Sequence, residues 1–308
     1  MSKTIAIIGN GKLTLATVKG FLASGMESEK IIVIGRENSN LSVFEKLGVL
    51  VSKDIMQVKE AKHAILMVTP SGIGPQLKRL KETKIENLTS FASGSNISDL
   101  SRFLGISPKN IRIGTMNVNV EYGKGLVYMT RGNEKIKELM GRLGKVTTVS
   151  PTEVPKLIVS VGSGCGVDAQ ALLLMYEASK SIWSFRKWLE KVEKSGHPML
   201  NAYIENKAKV FTEVLGYDYE FSLEHSAETL LSTILALLSQ KGEITFETIE
   251  EYVRKVATKR GCTEAGIGKM TSVDVLFSFE KLLEVIHPIY ERAKKFEDDA
   301  KKSFDDLA

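Results

Sequence analysis

The first twenty residues constrain the fold more than any other stretch of this chain. Lys3-Thr4-Ile5-Ala6-Ile7-Ile8 is a short β-branched run, Gly9-Asn10-Gly11 follows at once, and Lys12-Leu13-Thr14-Leu15-Ala16-Thr17-Val18 continues in helical fashion. That order reads as buried strand, tight glycine turn and helix. A turn without side chains lets the backbone approach a pyrophosphate, and the N–H groups of the helix behind it favour negative charge. The pattern is G-x-G-x-x-T, with Thr14 at the last small position. A lone G-x-G is compatible with a plain turn. Directly after a strand, and with a second strand at Ile31, it points to a dinucleotide site whose loop is Gly9, Asn10, Gly11, Lys12 and Leu13.

The alternation continues beyond this unit. Residues 31–34, 49–51, 64–68, 88–92, 111–115 and 145–149 read as strands, with helical patterns between them at 75–80 and 97–104. Such alternation predicts a doubly wound parallel sheet of the Rossmann type. Pro151 and Pro155 then punctuate the chain, which places a domain boundary between residues 155 and 156. From there to residue 308 the periodicity is helical throughout, with helices expected over 169–188, 202–215, 227–239, 246–259 and 273–299. The stretch 230–238 is apolar on nearly every face, as for a helix in a large core or a subunit interface. Residues 294–308 read as a charged, solvated helix end.

Composition narrows the function classes. The 308 residues suffice for two cored domains, and 43% hydrophobic with 26% charged residues is ordinary for a globular protein. Two cysteines, Cys165 and Cys262, cannot build a disulfide framework, which suggests a reducing cytoplasm. The first strand begins too early to leave room for a signal peptide, and no apolar run looks long enough to span a membrane. The net charge of +5 comes from lysines scattered among glutamates, without the aromatic interleaving expected of a nucleic-acid surface.

The end of the second strand bears on the choice between nicotinamide cofactors. An acid there accepts from the ribose hydroxyls and repels a 2′-phosphate. Here the chain reads Ile34-Gly35-Arg36-Glu37-Asn38-Ser39, with glycine at the acid position and a guanidinium next. Arg36, with Ser39 as a hydroxyl donor, favours NADPH; Glu37 keeps NADH as the alternative.

Two glycine-rich segments stand out in the helical half. Gly162-Ser163-Gly164-Cys165-Gly166 opens one helix, and Ala257-Thr258-Lys259-Arg260-Gly261-Cys262-Thr263-Glu264-Ala265-Gly266-Ile267-Gly268 joins two others. Backbone amides at a helix start can bind a carboxylate, although each segment is also readable as an ordinary connection. With these residues the chain resembles the pyrroline-5-carboxylate reductases over most of its length. Gly9-Asn10-Gly11 is similar to that family's cofactor loop, Ala92-Ser93-Gly94 to its turn after the fifth strand, and Gly162-Ser163-Gly164 to its G-S-G-P-A stretch. Thr263-Glu264-Ala265-Gly266-Ile267 resembles the end of its S-P-G-G-T-T-E-A-G-I signature. The resemblance implies a Rossmann domain followed by a helical substrate-binding domain that forms at least a homodimer, and reduction of a cyclic imino acid to proline. It implies that Gly261, Cys262 and Thr263 hold the substrate carboxylate, with Thr263 as proton source at the ring nitrogen. It also implies that Val68, Thr69, Pro70, Ala92 and Gly94 line the cofactor.

The chain departs from the family at several points. S-P-G-G becomes Thr258-Lys259-Arg260-Gly261, setting Lys259 and Arg260 beside the substrate. M-P-N-T-P survives only as Thr115-Met116-Asn117-Val118-Asn119, where Asn117 keeps the amide. The V-K-P of the fourth strand is Val68-Thr69-Pro70. These changes leave open a different imino acid, or a non-catalytic relative that only binds NADP.

Hydride addition to a protonated imine asks little of a protein beyond positioning and one proton donor. Alcohol oxidation would need a general base, whereas the helix after Gly162-Ser163-Gly164 offers Asp168 and Gln170 and no lysine before Lys180. His63, His197, His225 and His287 fall in no metal-ligand spacing, so no metal is expected. Cys165 and Cys262 read as small buried fillers rather than nucleophiles.

Overall fold

A computed structural model of the chain describes residues 3–132, 134–257 and 262–307. Its contacts divide the chain into two units, residues 1–155 together with 294–308, and residues 156–293.

The first unit is an eight-stranded sheet in the order β3-β2-β1-β4-β5-β6-β7-β8. The strands are β1 (Lys3–Ile8), β2 (Ile31–Ile34), β3 (Leu50–Ser52), β4 (Ala61–Leu66), β5 (Leu88–Ser90), β6 (Ile111–Met116), β7 (Gly125–Met129) and β8 (Gly144–Thr148). The helices between them are α1 (Lys12–Ala23), α2 (Ser42–Glu45), α3 (Ile73–Lys81), α4 (Ile97–Leu104) and α5 (Glu134–Gly141). Ile5, Ala6, Ile7 and Ile8 are completely buried, and a strand covered on both faces reads as an unbroken apolar run. From β1 the chain builds outward through β2 to β3, then returns to the other side of β1 as β4. The strand order therefore reverses between β1 and β4, where doubly wound sheets bind their ligands.

The sheet is parallel from β3 to β6, but β7 runs antiparallel to β6, with Gly114 opposite Met129. The sequence predicts no strand at 125–129 and an all-parallel sheet. After β6 the chain makes a short 3-10 stretch, Val118–Tyr122, and Gly123 turns it at φ +66°. No crossover helix intervenes, and a short return can only pair strands antiparallel. Strand ends elsewhere shift by up to three residues; the fourth strand starts at Ala61 rather than 64.

The second unit is helical. One helix starts as α6 (Val154–Leu157), passes through a π-helical stretch at Ile158–Ser163 and continues as α7 (Gly164–Ser179). It is followed by α8 (Phe185–Ser195), α9 (Pro198–Leu215), α10 (Tyr219–Leu238), α11 (Phe246–Val256), α12 (Cys262–Ile267), α13 (Asp274–Phe277) and α14 (Phe279–Asp305). The helix expected over 169–188 is two helices, because Lys180 adopts the left-handed conformation at φ +46° and caps the first. The helix expected over 273–299 is broken by extended backbone at Ser278. Val154–Ser179 is long and apolar enough by composition to cross a membrane, in contrast to the sequence reading, and 89% of its apolar window is buried inside the protein. On α10, Leu231 is 46% exposed, while Leu230, Ile234 and Leu237 are buried.

Residues 294–308 are not the solvated end their charge suggests. Ala300 and Phe304 of α14 sit in the core of the first unit with Leu77, Leu88 and Leu100. The Gly74 amide donates to Ser303 Oγ at 2.8 Å. A Cβ at Gly74 would fall 2.3 Å from the Ser303 carbonyl oxygen, and one at Gly94 2.4 Å from the Ala300 Cβ.

Candidate functional site

The glycine turn after β1 lies at the point where the strand order reverses. The Gly9 amide donates to the Ile34 carbonyl and the Met67 amide to the Ile8 carbonyl, so β1, β2 and β4 end together. Gly9 has φ +126°, and a Cβ there would lie 2.0 Å from the Met67 carbonyl oxygen. Only glycine fits that position. Gly11 is the N-cap of α1, makes no side-chain cap and has open space where a Cβ would stand. As a glycine, Gly11 offers the first N–H groups of this 12-residue helix no side-chain acceptor of its own. Lys12 and Leu13 form the first turn of α1, and the buried Thr14 Oγ1 has no partner among the described residues.

The end of β2 is folded toward this turn. The Arg36 amide donates to Ser39 Oγ at 2.9 Å. Ser39 Oγ and the Asn40 carbonyl each lie 3.5 Å from the Asn10 side chain. Arg36 and Glu37 are both exposed. A cation the sequence reading missed stands behind them. Arg79 of α3 donates to the Gly35 carbonyl at 3.2 Å and the Lys53 carbonyl at 2.6 Å, tying the ends of β2 and β3 together.

The other expected cofactor residues follow β4 and β5. Val68 is half-buried, Thr69 is exposed and Pro70 starts a 3-10 turn, with the Gly72 amide on the Thr69 carbonyl. Ala92 is buried and its amide donates to Ser90 Oγ. The open backbone at Gly94 serves the approach of α14, a packing reason that its sequence pattern does not disclose. Asn117 is 1% exposed, and its side-chain oxygen accepts the Leu126 amide at 3.1 Å. That bond holds β7 against the end of β6, so the residue has a structural task besides any at a substrate.

Lys259, Arg260 and Gly261 lie outside the described residues. Cys262 and Thr263 open α12 and are buried, at 7% and 3% exposure. A Cβ at Gly166 would sit 2.7 Å from the Thr263 methyl, so this glycine lets α12 press against α7. At Gly266 a Cβ would overlap the Val285 carbonyl, at 1.9 Å. The two glycine-bearing segments of the helical half therefore meet. The first is no turn, however: Gly162-Ser163-Gly164 lies within the continuous helix Val154–Ser179, at the end of its π stretch. Gly164 has helical φ and ψ and carries the chain straight into α7, so this segment opens no free helix N-terminus. Burial pushes the Cys262 thiol up to about 12, which keeps it protonated and inert near neutrality. Cys165 is also completely buried.

The helical unit also encloses a polar cluster. Lys207 of α9 donates to Asp168 of α7 at 2.6 Å and to Thr229 of α10 at 2.7 Å, with both charged side chains fully buried. The Tyr203 hydroxyl donates to the same Asp168 oxygen at 2.9 Å. Asp168 Oδ2 has no partner among the described residues. Burial pulls the Lys207 ammonium below its ordinary value, with Asp168 opposing that shift. Burial and the Asp168 charge hold the Tyr203 phenol well above its own value. The lysine that meets Asp168 thus comes from α9 and not from Asp168's own helix. The signal for it was present: Tyr203, Lys207 and Phe211 share one face of α9 at intervals of four, which puts a lysine in an apolar stripe. Among the described residues no three His, Cys, Asp or Glu side chains gather as a metal site.

No protein-family model matches the chain. The pyrroline-5-carboxylate reductase of Corynebacterium melassecola is 27% identical over 174 residues, 52% of this chain. That match spans 64% of the relative's own length. The enzyme of the same name from Vibrio alginolyticus is 23% identical over 262 residues, covering 81% of this chain and 89% of its own. Among solved structures, a Plasmodium falciparum pyrroline carboxylate reductase with NADP bound aligns at a TM-score of 0.52 and 12% identity, over 97% of this chain and 98% of that one. A Coxiella burnetii pyrroline-5-carboxylate reductase aligns at 0.52 and 22%, over 96% and 99%. The chain is similar to the pyrroline-5-carboxylate reductases in sequence, at the low identity of a divergent relative, and it shares their fold of a Rossmann-type sheet followed by helices.

Proposed function

We propose that the chain is an NADPH-dependent reductase of a cyclic imine, and that the imine is pyrroline-5-carboxylate, giving proline. The observation that carries this reading is the contact of Thr263 with Gly166, which joins the two segments that resemble the reductases' substrate half. The named relatives support the same chemistry.

The turn after β1 fits a dinucleotide. Gly9 and Gly11 leave backbone where side chains would block a pyrophosphate, and α1 presents uncapped N–H groups. Bound NADPH would supply a hydride to the imine carbon. Gly9, Asn10, Gly11, Lys12 and Leu13 would hold the pyrophosphate, while Val68, Thr69, Pro70, Ala92 and Gly94 would line the remainder of the cofactor. Arg36 would meet the 2′-phosphate, with Arg79 adding positive potential at the ends of β2 and β3. This favours NADPH over NADH.

On the substrate, the amides of Gly261 and Cys262 would hold the carboxylate, and the Thr263 hydroxyl would hold a proton at the ring nitrogen. Asn117 would add an amide contact. Lys259 and Arg260 would bind a second anionic group if the natural imine is larger. Residues 1–155 would thus carry the cofactor, and residues 156–308 the substrate and a homodimer contact in which the exposed Leu231 takes part. Two buried free cysteines accord with a cytoplasmic enzyme.

The test is NADPH oxidation with pyrroline-5-carboxylate, comparing the wild type with Thr263→Val. A positioned proton donor contributes roughly 100-fold or more, so the variant should lose at least that in kcat while NADPH affinity holds. No oxidation by a wild type that binds NADPH would remove pyrroline-5-carboxylate as substrate. Equal rates in both proteins would remove Thr263 as the donor.

A further inference from the structure

A cavity of about 610 Å³ opens at the end of the sheet opposite the glycine turn. Its floor is the N-terminal ends of β1 and β4, through Thr4, Lys62 and His63, with Asn87 just before β5. One wall is the loop after α1, with Glu27 and Lys30, and the other is α5 with Lys135, Glu138 and the following Arg142. Thr4 of the floor and Gly9 are five residues apart along β1, at about 3.3 Å each, so the cavity lies some 16 Å from the cofactor turn. The volume is within the range of small-ligand sites, roughly 300–1,000 Å³.

The charges of the lining do not cancel. Lys30 pairs with Glu27 at 2.9 Å. Glu138 is the one other acid, against Lys62, Lys135 and Arg142, for which no ion pair is found among the described residues. Behind the floor lies Arg112 of β6, 4% exposed. Its guanidinium donates to the Asn110 carbonyl at 3.1 Å and reaches Asn87 Oδ1 at 3.5 Å, while its Nε has no partner among the described residues. A second hollow, lined by Lys59, Lys84 and Glu86, shares Lys62 and Asn87 with the first and extends the basic lining. Like charges converging on one concavity repel unless an anion screens them.

We propose that this cavity is a second ligand site, which binds a small molecule through a phosphate group, with Lys62, Lys135 and Arg142 as its cationic contacts and Asn87 and Thr4 as neutral donors. Arginine and lysine about a concave wall are the recurrent means of holding phosphate. His63 reports on occupancy. Its Nε2 lies 2.8 Å from Thr89 Oγ1, and burial with the Arg112 charge holds its pKa down to about 4. The charges facing it are those named: Arg112 from β6, Lys62 beside it, Lys30 and Glu27 after α1, and Lys135, Glu138 and Arg142 on the α5 side. A phosphate among them opposes the Arg112 field and raises the imidazole pKa.

The experiment is titration of the full chain with inorganic phosphate at constant ionic strength, followed by imidazole NMR and repeated with NADP at saturation. His63→Gln assigns the signal. Saturable shifts of the His63 resonance, an upward move of its titration midpoint, and about tenfold weaker binding in Lys62→Ala and in Arg142→Ala are expected, with NADP affinity unchanged. Shifts that do not saturate, that survive both substitutions, or that disappear when NADP is bound would overturn the proposal. The last outcome would place phosphate on the glycine turn instead.

Discussion

At the scale of single residues, three glycines set where backbone meets backbone or side chain. Gly9 is the most constrained, because both its φ of +126° and the Met67 carbonyl 2.0 Å from a notional Cβ exclude any other residue. Gly9→Ala must move the end of β1 away from β4. We expect a loss of about 2–4 kcal/mol from backbone strain and displaced packing, and loss of NADPH binding, measured by urea unfolding and cofactor titration. Gly11→Ala is the control. Nothing stands within 4 Å of its Cβ, so the fold should tolerate it while the pyrophosphate does not. A Gly11→Ala protein that binds NADPH as well as wild type would count against the turn as the phosphate cradle. Gly166 and Gly94 belong to a different kind, since both are needed by neighbouring helices. The pattern of small residues announced all of them alike. Only the partner across the gap, Met67, Thr263 or Ala300, shows which packing each glycine serves.

At the scale of elements, what could be read from sequence follows the range of the forces involved. β1, β2 and the helix behind the glycine turn were legible because their apolar runs and turn residues are local. β7 was not, although Gly125-Leu126-Val127-Tyr128-Met129 is wholly buried and β-prone. Its direction follows from the short return through Gly123, and the Asn117 contact with Leu126 that holds it there is one no periodicity shows. The continuous helix through Gly162-Ser163-Gly164 was hidden in the same way. Two glycines suggested a turn, but burial of its neighbours on both sides keeps the backbone helical. The Asp168–Lys207 pair is the clearest case of a long-range feature, since α7 and α9 must pack before the charges meet. Removing one partner strands a buried charge, so Asp168→Asn or Lys207→Met alone should each cost about 3–5 kcal/mol. The double variant replaces both ions with neutral groups of similar shape and should recover most of that loss. Denaturant midpoints of the four proteins decide it. Additive losses would mean that the pair is not coupled.

At the scale of the whole molecule, the chain's end belongs to its beginning. α14 starts among the helices of residues 156–293, yet its last turns complete the core beside the sheet. Phe304 is 4% exposed there, and truncation of a buried phenylalanine costs about 3–5 kcal/mol. Both tryptophans, Trp183 and Trp188, lie in the helical unit, far along the chain from Phe304. Their fluorescence therefore follows one unit, while far-ultraviolet circular dichroism follows both. If the continuous α14 makes the two units unfold as one, Phe304→Ala should lower the midpoint by the same amount in both signals. If the units unfold separately, the tryptophan transition should stay at its wild-type position while the dichroism transition splits. The first outcome is expected, because a helix that loses its anchor in one core must fray toward the other, and Leu282, Val285 and Ile289 on that helix are fully or nearly fully buried in the helical unit. Ser303→Ala sharpens the comparison. It removes only the acceptor of the Gly74 amide, a loss of about 1 kcal/mol, and should shift both signals in the same direction by correspondingly less.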